Sequence, residues 1–163
     1  MVMLMAPSLT QKINIEKALK LSIIHDINEA YVWDIPAFDP NHSKKGAEEL
    51  HNIQALKKRF NTPIMDEIHD LWLDYENQSS LESTFIKALD KIEVRIQHNE
   101  ADISTWNDIE FPRSLFAADI YCKYDGFIKE FNELVKLESK NKIINESPRD
   151  IKNIEIEAEN MRQ

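Results

Sequence analysis

Only two glycines, Gly46 and Gly126, occur among 163 residues, and this scarcity excludes more than any other feature of the chain. A dinucleotide-binding turn or a phosphate-cradling loop needs clustered glycines, so neither can be built here. Tight β-hairpins draw on glycine for positive φ, which counts against an antiparallel barrel. An all-α fold is the economical expectation. The length fits one ordinary domain. Twenty Lys and Arg against 29 Asp and Glu leave a formal net charge of −9. That balance argues against a general nucleic-acid or anionic-membrane binder, since both need a basic footprint. Hydrophobic residues at 42% beside 30% charged residues sit in the globular range, not the disordered one. The single cysteine, Cys122, removes an intramolecular disulfide framework and a cysteine zinc cluster. No apolar run reaches membrane-spanning length. The apolar start at residues 1–6 meets Pro7 quickly and lacks the basic lead of a secretory signal. A cytoplasmic protein is expected.

Apolar periodicity and caps predict a run of helices. Asn14 caps a helix over 15–31, with Leu19, Ile23 and Ile27 on one face. Two prolines make 34–43 a loop, after which Ser43 caps a polar helix to about residue 60, lined by Leu50, Ile53 and Leu56. Thr62-Pro63 starts a helix that turns Ile64, Ile68, Leu71, Trp72 and Tyr75 inward. Ser79 and Glu82 have capping-box spacing ahead of a helix to about residue 97, with Phe85, Leu89, Ile92 and Ile96 as its stripe. Pro112 opens another helical region, and Asp125 caps a helix bearing Phe127, Phe131, Leu134 and Leu137. Beyond Ser139 the chain turns polar. Ser147-Pro148 can start a last helix whose Ile151, Ile154 and Ile156 form a weak stripe.

Three carboxylates and one imidazole stand out. His25 and Asp26 follow the apolar run 21–24 and so fall near the buried face, while Glu29 shares a face with Asp26 three residues on. A buried ionised carboxylate is costly unless a cation compensates it. Asp90 directly follows the core residue Leu89 and also calls for a partner. One imidazole and two carboxylates suit Mn²⁺, Mg²⁺, Co²⁺ or Fe²⁺ with water completing the shell. The plainer reading makes His25-Asp26 an acidic helix edge and Asp90 a surface acid paired with Lys87 or Lys91. His-Asp alone carries little information, because the dipeptide recurs at His69-Asp70.

The order of short motifs is more specific. His25-Asp26-x-x-Glu29 followed by Asp34-Ile35-Pro36 resembles the core motif of HD-domain phosphohydrolases. Leu71-Trp72-x-x-Tyr75-Glu76, Ser80-x-Glu82 and Phe85-Ile86-Lys87-x-Leu89-Asp90-Lys91 extend the likeness. The resemblance covers roughly half the chain, and is strongest to the branch containing bacterial 5′-deoxynucleotidases and the eukaryotic HD-domain-containing protein 2. It implies an all-α helical bundle of about six helices over 1–140, with 141–163 a polar C-terminal tail or helix. It also implies one divalent metal (Mn²⁺, Co²⁺, Mg²⁺ or Fe²⁺) per chain, a small-molecule nucleotide substrate and a homodimer. By resemblance, His25, Asp26 and Asp90 match metal ligands, and Glu29 matches the acid that orients or deprotonates the attacking water. Asp34 matches a residue near the sugar and phosphate, and Lys87 or Lys91 would face the phosphate. His69-Asp70 falls where the family has no ligand.

One departure stands against these matches. The family pattern has a further metal-binding histidine on a helix upstream, and no histidine precedes His25. Residues 1–9 resemble the end of that helix, so an N-terminally truncated bundle is expected; His42 and His51 are the nearest substitutes, without supporting spacing. Two functions follow from this. One is a metal-dependent phosphohydrolase acting as a 5′-nucleotidase on deoxynucleoside or nucleoside monophosphates. The other is a catalytically impaired domain kept for binding or assembly.

Overall fold

A computed structural model describes residues 1–30 and 42–162, with the backbone alone for 42–44. All regular structure among the described residues is helical, as the glycine count led one to expect. Among the described residues six helices have ten residues or more: α2 (Ile15–Ile24), α3 (His42–Phe60), α4 (Pro63–Asn77), α5 (Leu81–Glu100), α8 (Gly126–Glu146) and α9 (Ile151–Met161). Between them come the short α1 (Val2–Met5), α6 (Glu110–Ser114) and α7 (Asp119–Cys122). Two compact units divide the chain, residues 14–86 and residues 1–13 with 87–163.

In the unit 14–86, the expected caps on α2 and α4 are present. Asn14 accepts from the Lys17 backbone N–H at 3.1 Å, and Thr62 Oγ1 accepts from Met65 N–H at 3.3 Å ahead of Pro63. α3 starts one residue before Ser43, which therefore lies inside the helix. Ile53, Met65 and Trp72 form a core with Ile27, Leu56, Ile68 and Leu73 against it. The inward face of α2 is not the expected one. Ala18, Leu21 and Ile24 are buried, whereas Ile23 is 79% exposed. In this rotation Lys17 reaches Asp74 at 2.7 Å and Lys20 reaches Glu67 at 2.7 Å, both on α4. On α4, Met65, Trp72 and Tyr75 turn inward, while Ile64, expected inside, is 71% exposed.

Asp74 gathers several groups. Its Oδ2 accepts from Ser80 Oγ at 2.8 Å and meets Lys17, while its Oδ1 accepts from Ser83 Oγ at 2.9 Å. Burial favours the neutral carboxyl, but Lys17 and the two hydroxyls outweigh it and hold Asp74 below the ordinary carboxylate value. The same hydroxyls cap α5. Ser80 Oγ accepts from Ser83 N–H at 3.2 Å and Ser83 Oγ accepts from Ser80 N–H at 3.1 Å. The reciprocal box is thus Ser80–Ser83, one residue later than the expected Ser79–Glu82, because Ser83 is fully buried against Asp74. Glu82 instead accepts from the Asn14 N–H at 2.7 Å.

With so little glycine, left-handed turn positions fall to other residues. Gln78 closes α4 at φ 47° and ψ 45°, and Asn61 follows α3 at φ 44°. Only glycine occupies that region without a Cβ penalty.

In the other unit, Asp125 caps α8 as expected, accepting from Phe127 N–H at 3.0 Å and Ile128 N–H at 3.2 Å. It also accepts from the Thr10 N–H at 2.8 Å, which ties down the segment after α1. The buried face of α8 departs from the expected Phe127–Phe131–Leu134–Leu137 stripe. Ile128, Asn132, Val135, Ser139 and Ile143 are buried instead. α5 supplies the reason. The Arg95 guanidinium, 4% exposed, donates to Asn132 Oδ1 at 2.5 Å, and Asn132 Nδ2 donates to Asp119 Oδ1 at 3.0 Å. Asn99 donates to the Val135 carbonyl and accepts from Ser139 Oγ. Buried polar groups on α5 therefore select the polar side of α8. α8 runs well past Ser139, and α9, capped by Asp150 and not by Ser147, puts Ile154 and Ala158 into a core with Trp106, Phe111, Leu115 and Ile143. Burial pushes the Cys122 thiol up to about 12, leaving it protonated and unreactive.

Two outcomes test this account. Asp74→Ala is expected to cost about 2 kcal/mol at pH 7, a fall in Tm of roughly 4–8 °C. A group with a depressed folded pKa contributes fully above the unfolded value, about 3.9, and loses that contribution as pH falls through the folded value. The gap between wild type and variant, followed by thermal denaturation, therefore narrows below about pH 4. Gln78→Gly is expected to raise stability by about 0.5–1 kcal/mol by removing the left-handed Cβ penalty. An unchanged or lowered Tm would contradict this reading of the cap.

Candidate functional site

α2 ends at Ile24, earlier than the expected helix to residue 31, and a 3-10 turn at Ile27–Ala30 follows. His25 and Asp26 occupy the link between the two. The His25 N–H still donates to the Leu21 carbonyl at 3.0 Å, so the backbone leaves the helix just beyond the imidazole. The ring is held on two sides. Nδ1 lies 3.1 Å from the Ser22 carbonyl oxygen, and the Tyr75 ring packs against it with centroids 5.1 Å apart.

A carbonyl oxygen only accepts, so Nδ1 carries a proton and Nε2 is directed to the second partner. That partner is Asp26 Oδ2, at 2.9 Å. A bare ring nitrogen facing a carboxylate oxygen is repulsive; a second ring proton or a metal cation between the two makes the contact favourable. The anchored Nδ1 is the arrangement that fixes tautomer and orientation in histidine metal ligands. An imidazole nitrogen and a hard oxygen on adjacent residues thus fit a divalent cation. The His25 side chain is 18% exposed and that of Asp26 56%. The expected burial holds for the histidine and fails for the aspartate, which solvent reaches.

Glu29 lies in the 3-10 turn, its N–H donating to the Asp26 carbonyl at 2.9 Å. Its Oε1 stands 3.3 Å from Lys45 Nζ, and the same ammonium lies 3.7 Å from Glu49 Oε1. Burial pushes the Glu49 carboxyl up; Lys45 opposes the rise, while Glu76 and Glu29 add to it. Asn28, 1% exposed, donates to the Glu49 backbone carbonyl at 3.2 Å and so joins the turn to α3. Neither Asn28 nor the Lys45–Glu49 pair was singled out in the sequence. A lone buried amide and a lysine on a polar helix carry no pattern before the chain is folded.

Asp90 lies on α5, in the other compact unit, with a side chain 21% exposed and Lys91 Nζ at 2.8 Å. That contact is the neighbouring-lysine pairing that the plainer reading anticipated for Asp90. Lys87, one turn earlier on α5, is half-buried. Asp34 lies outside the described residues. Among the described residues, no three His, Cys, Asp or Glu side chains gather closely enough to form a metal site. His69 pairs with Asp70 at 2.9 Å, where Lys57 also approaches, and takes no part in the His25 cluster.

The HD domain family matches residues 1–132. Among curated proteins, the 5′-deoxynucleotidase YBR242W of Saccharomyces cerevisiae is 37% identical over 91 residues, covering 53% of this chain and 38% of that protein. The 5′-deoxynucleotidase HDDC2 of Danio rerio is 35% identical over 89 residues, covering 54% and 44%. The Homo sapiens HDDC2 is 31% identical over 90 residues, covering 55% and 44%. The chain therefore spans less than half the length of these relatives. No solved structure matches it. The family match extends over most of the chain, from α1 into α8, and includes every residue of the His25 cluster: the chain belongs to the HD domain family.

Proposed function

We propose that this protein is a metal-dependent phosphohydrolase that releases phosphate from deoxynucleoside 5′-monophosphates. The observation that carries the reading is His25, its Nδ1 anchored on the Ser22 carbonyl and its Nε2 held 2.9 Å from Asp26 Oδ2. Family membership and the names of the relatives support the reaction class and the substrate. His25 and Asp26 would hold the metal; Asp90 of α5 is assigned as a third ligand on the family resemblance alone. A bound divalent cation supplies Lewis acidity, which favours deprotonation of water and offsets charge on phosphoryl oxygens.

The chain's own groups account for the remaining work. Tyr75 and the Ser22 carbonyl fix the imidazole ring, so the donor atoms do not have to be ordered when a metal enters. Glu29 receives the proton of the attacking water as general base, with Lys45 orienting its Oε1. Lys87 and Asp34 are assigned to the substrate phosphate and sugar. In this reading the enzyme works in the cytoplasm as a homodimer. Among the described residues no helix is long and apolar enough to cross a membrane.

Two measurements test the proposal. Phosphate release from dAMP, dGMP and AMP in the presence of Mn²⁺, Co²⁺ or Mg²⁺ is expected to fall at least about 100-fold in His25→Ala, Asp26→Asn and Asp90→Ala. Equal background rates in wild type and all three variants would overturn the hydrolase and leave a binding or assembly domain. Independently of turnover, a cation at about 100 times its dissociation constant should add about 2.7 kcal/mol of stability. The rise in Tm is expected in wild type and absent in Asp26→Asn; no shift in wild type at millimolar metal would remove the metal centre.

A further inference from the structure

Helix α8 has two apolar faces, and one of them is uncovered. Ile128, Val135 and Ile143 point into their own unit. On the opposite side, Leu134, Leu137 and Ile144 are 62%, 53% and 52% exposed. These three belong to a regular series, Phe127, Glu130, Leu134, Leu137, Asn141 and Ile144, spaced three and four residues apart along the 21-residue helix. Alternating three and four is the spacing of a helix seam that meets another helix. The seam runs nearly the whole of a helix about 31 Å long. An isolated exposed leucine needs no explanation, but a seam of this length does.

The order of residues along the seam identifies its partner. Read in reverse, the series is Ile, Asn, Leu, Leu, Glu, Phe. Laid antiparallel on itself, Phe127 meets Ile144 of a second copy, Leu134 meets Leu137, and Glu130 meets Asn141. Apolar residues face apolar ones, and the two polar layers, related by the two-fold, each pair an amide donor with a carboxylate acceptor. The flanking charges match in the same register, since Glu133 falls opposite Lys140 of the other copy. A patch that complements itself on two-fold rotation is what an isologous dimer requires. A polar layer within such a seam penalises other registers.

We propose that the outward seam of α8 is the surface on which two copies of this chain pair antiparallel. The inference rests on the homodimer reading given above and assigns the surface that carries it. Glu133 and Lys140 keep their contacts within the chain, to Lys136 at 2.7 Å and to Glu155, so the interchain charges act as a rim around the apolar layers. Leu134 and Leu137 contribute little to their own core, so replacing them leaves the fold intact.

Sedimentation of the full chain decides the matter. Wild type is expected as a dimer of twice 19.1 kDa. Leu134→Glu/Leu137→Glu is expected to raise the dissociation constant at least about 100-fold, with an unchanged helical circular dichroism spectrum. A dimer that survives the double substitution overturns the α8 surface while leaving the homodimer reading standing. A monomeric wild type overturns both. Orientation is read by oxidation. Glu133→Cys/Lys140→Cys should give a covalent dimer that neither single cysteine variant gives, with the buried Cys122 silent. Efficient cross-linking of Glu133→Cys alone would mean parallel helices and would overturn the antiparallel register.

Discussion

Asp74 is the group on which the unit around the candidate site depends. Its two oxygens receive Lys17 from α2 and the hydroxyls of Ser80 and Ser83 from the start of α5. One carboxylate in the last turns of α4 therefore joins three helices. A partly buried carboxylate costs desolvation, and three donors return more than that cost, which keeps it ionised. The consequence for the site is direct. Tyr75, next in sequence, packs its ring on His25, so the contact that locates α2 against α4 also locates the imidazole.

The second unit is organised by a buried cation. Arg95 is almost fully enclosed, and its requirement for acceptors turns Asn132 inward with Asp119 behind it. Desolvation lowers the Arg95 pKa, and Asp119, which Lys136 and Arg162 also reach, provides the main opposing charge. Once Asn132 and Ser139 face inward, Leu134 and Leu137 on the far side must face out. The uncovered seam is thus the other side of the same helix rotation. Two apolar faces were written into α8, and the polar needs of α5 decided which one became core.

Much of the architecture was legible because its signals are local. The caps at Asn14, Thr62 and Asp125 each involve an oxygen and an N–H two or three residues away, so spacing alone reveals them. The stripe on α5 was legible for a similar reason, with Phe85, Leu89 and Ile92 all buried. The faces of α2 and α8 were not legible, since Ile23 and Leu134 are as hydrophobic as the residues buried in their place. Helix rotation there goes with long-range partners, Lys17 with Asp74 and Arg95 with Asn132, which periodicity does not register. At the candidate site, adjacent His25 and Asp26 could be read as a pair, whereas Tyr75, Asn28 and Lys45 join it from other segments.

The amino-acid order by itself determined the helical class, most helix starts and the His25-Asp26-x-x-Glu29 motif. Each of these depends on groups within a turn or so of one another, or on the absence of a residue type such as glycine. Tertiary structure alone decided which side of each helix is buried, that α2 stops at Ile24, and that the His25 imidazole presents Nε2 to Asp26 while Tyr75 closes against its ring. Those outcomes depend on buried donors and acceptors from distant segments finding one another. An unpaired polar group in the interior costs more than an exposed leucine, so around Arg95 and Asn132 polar pairing took precedence over the apolar stripe.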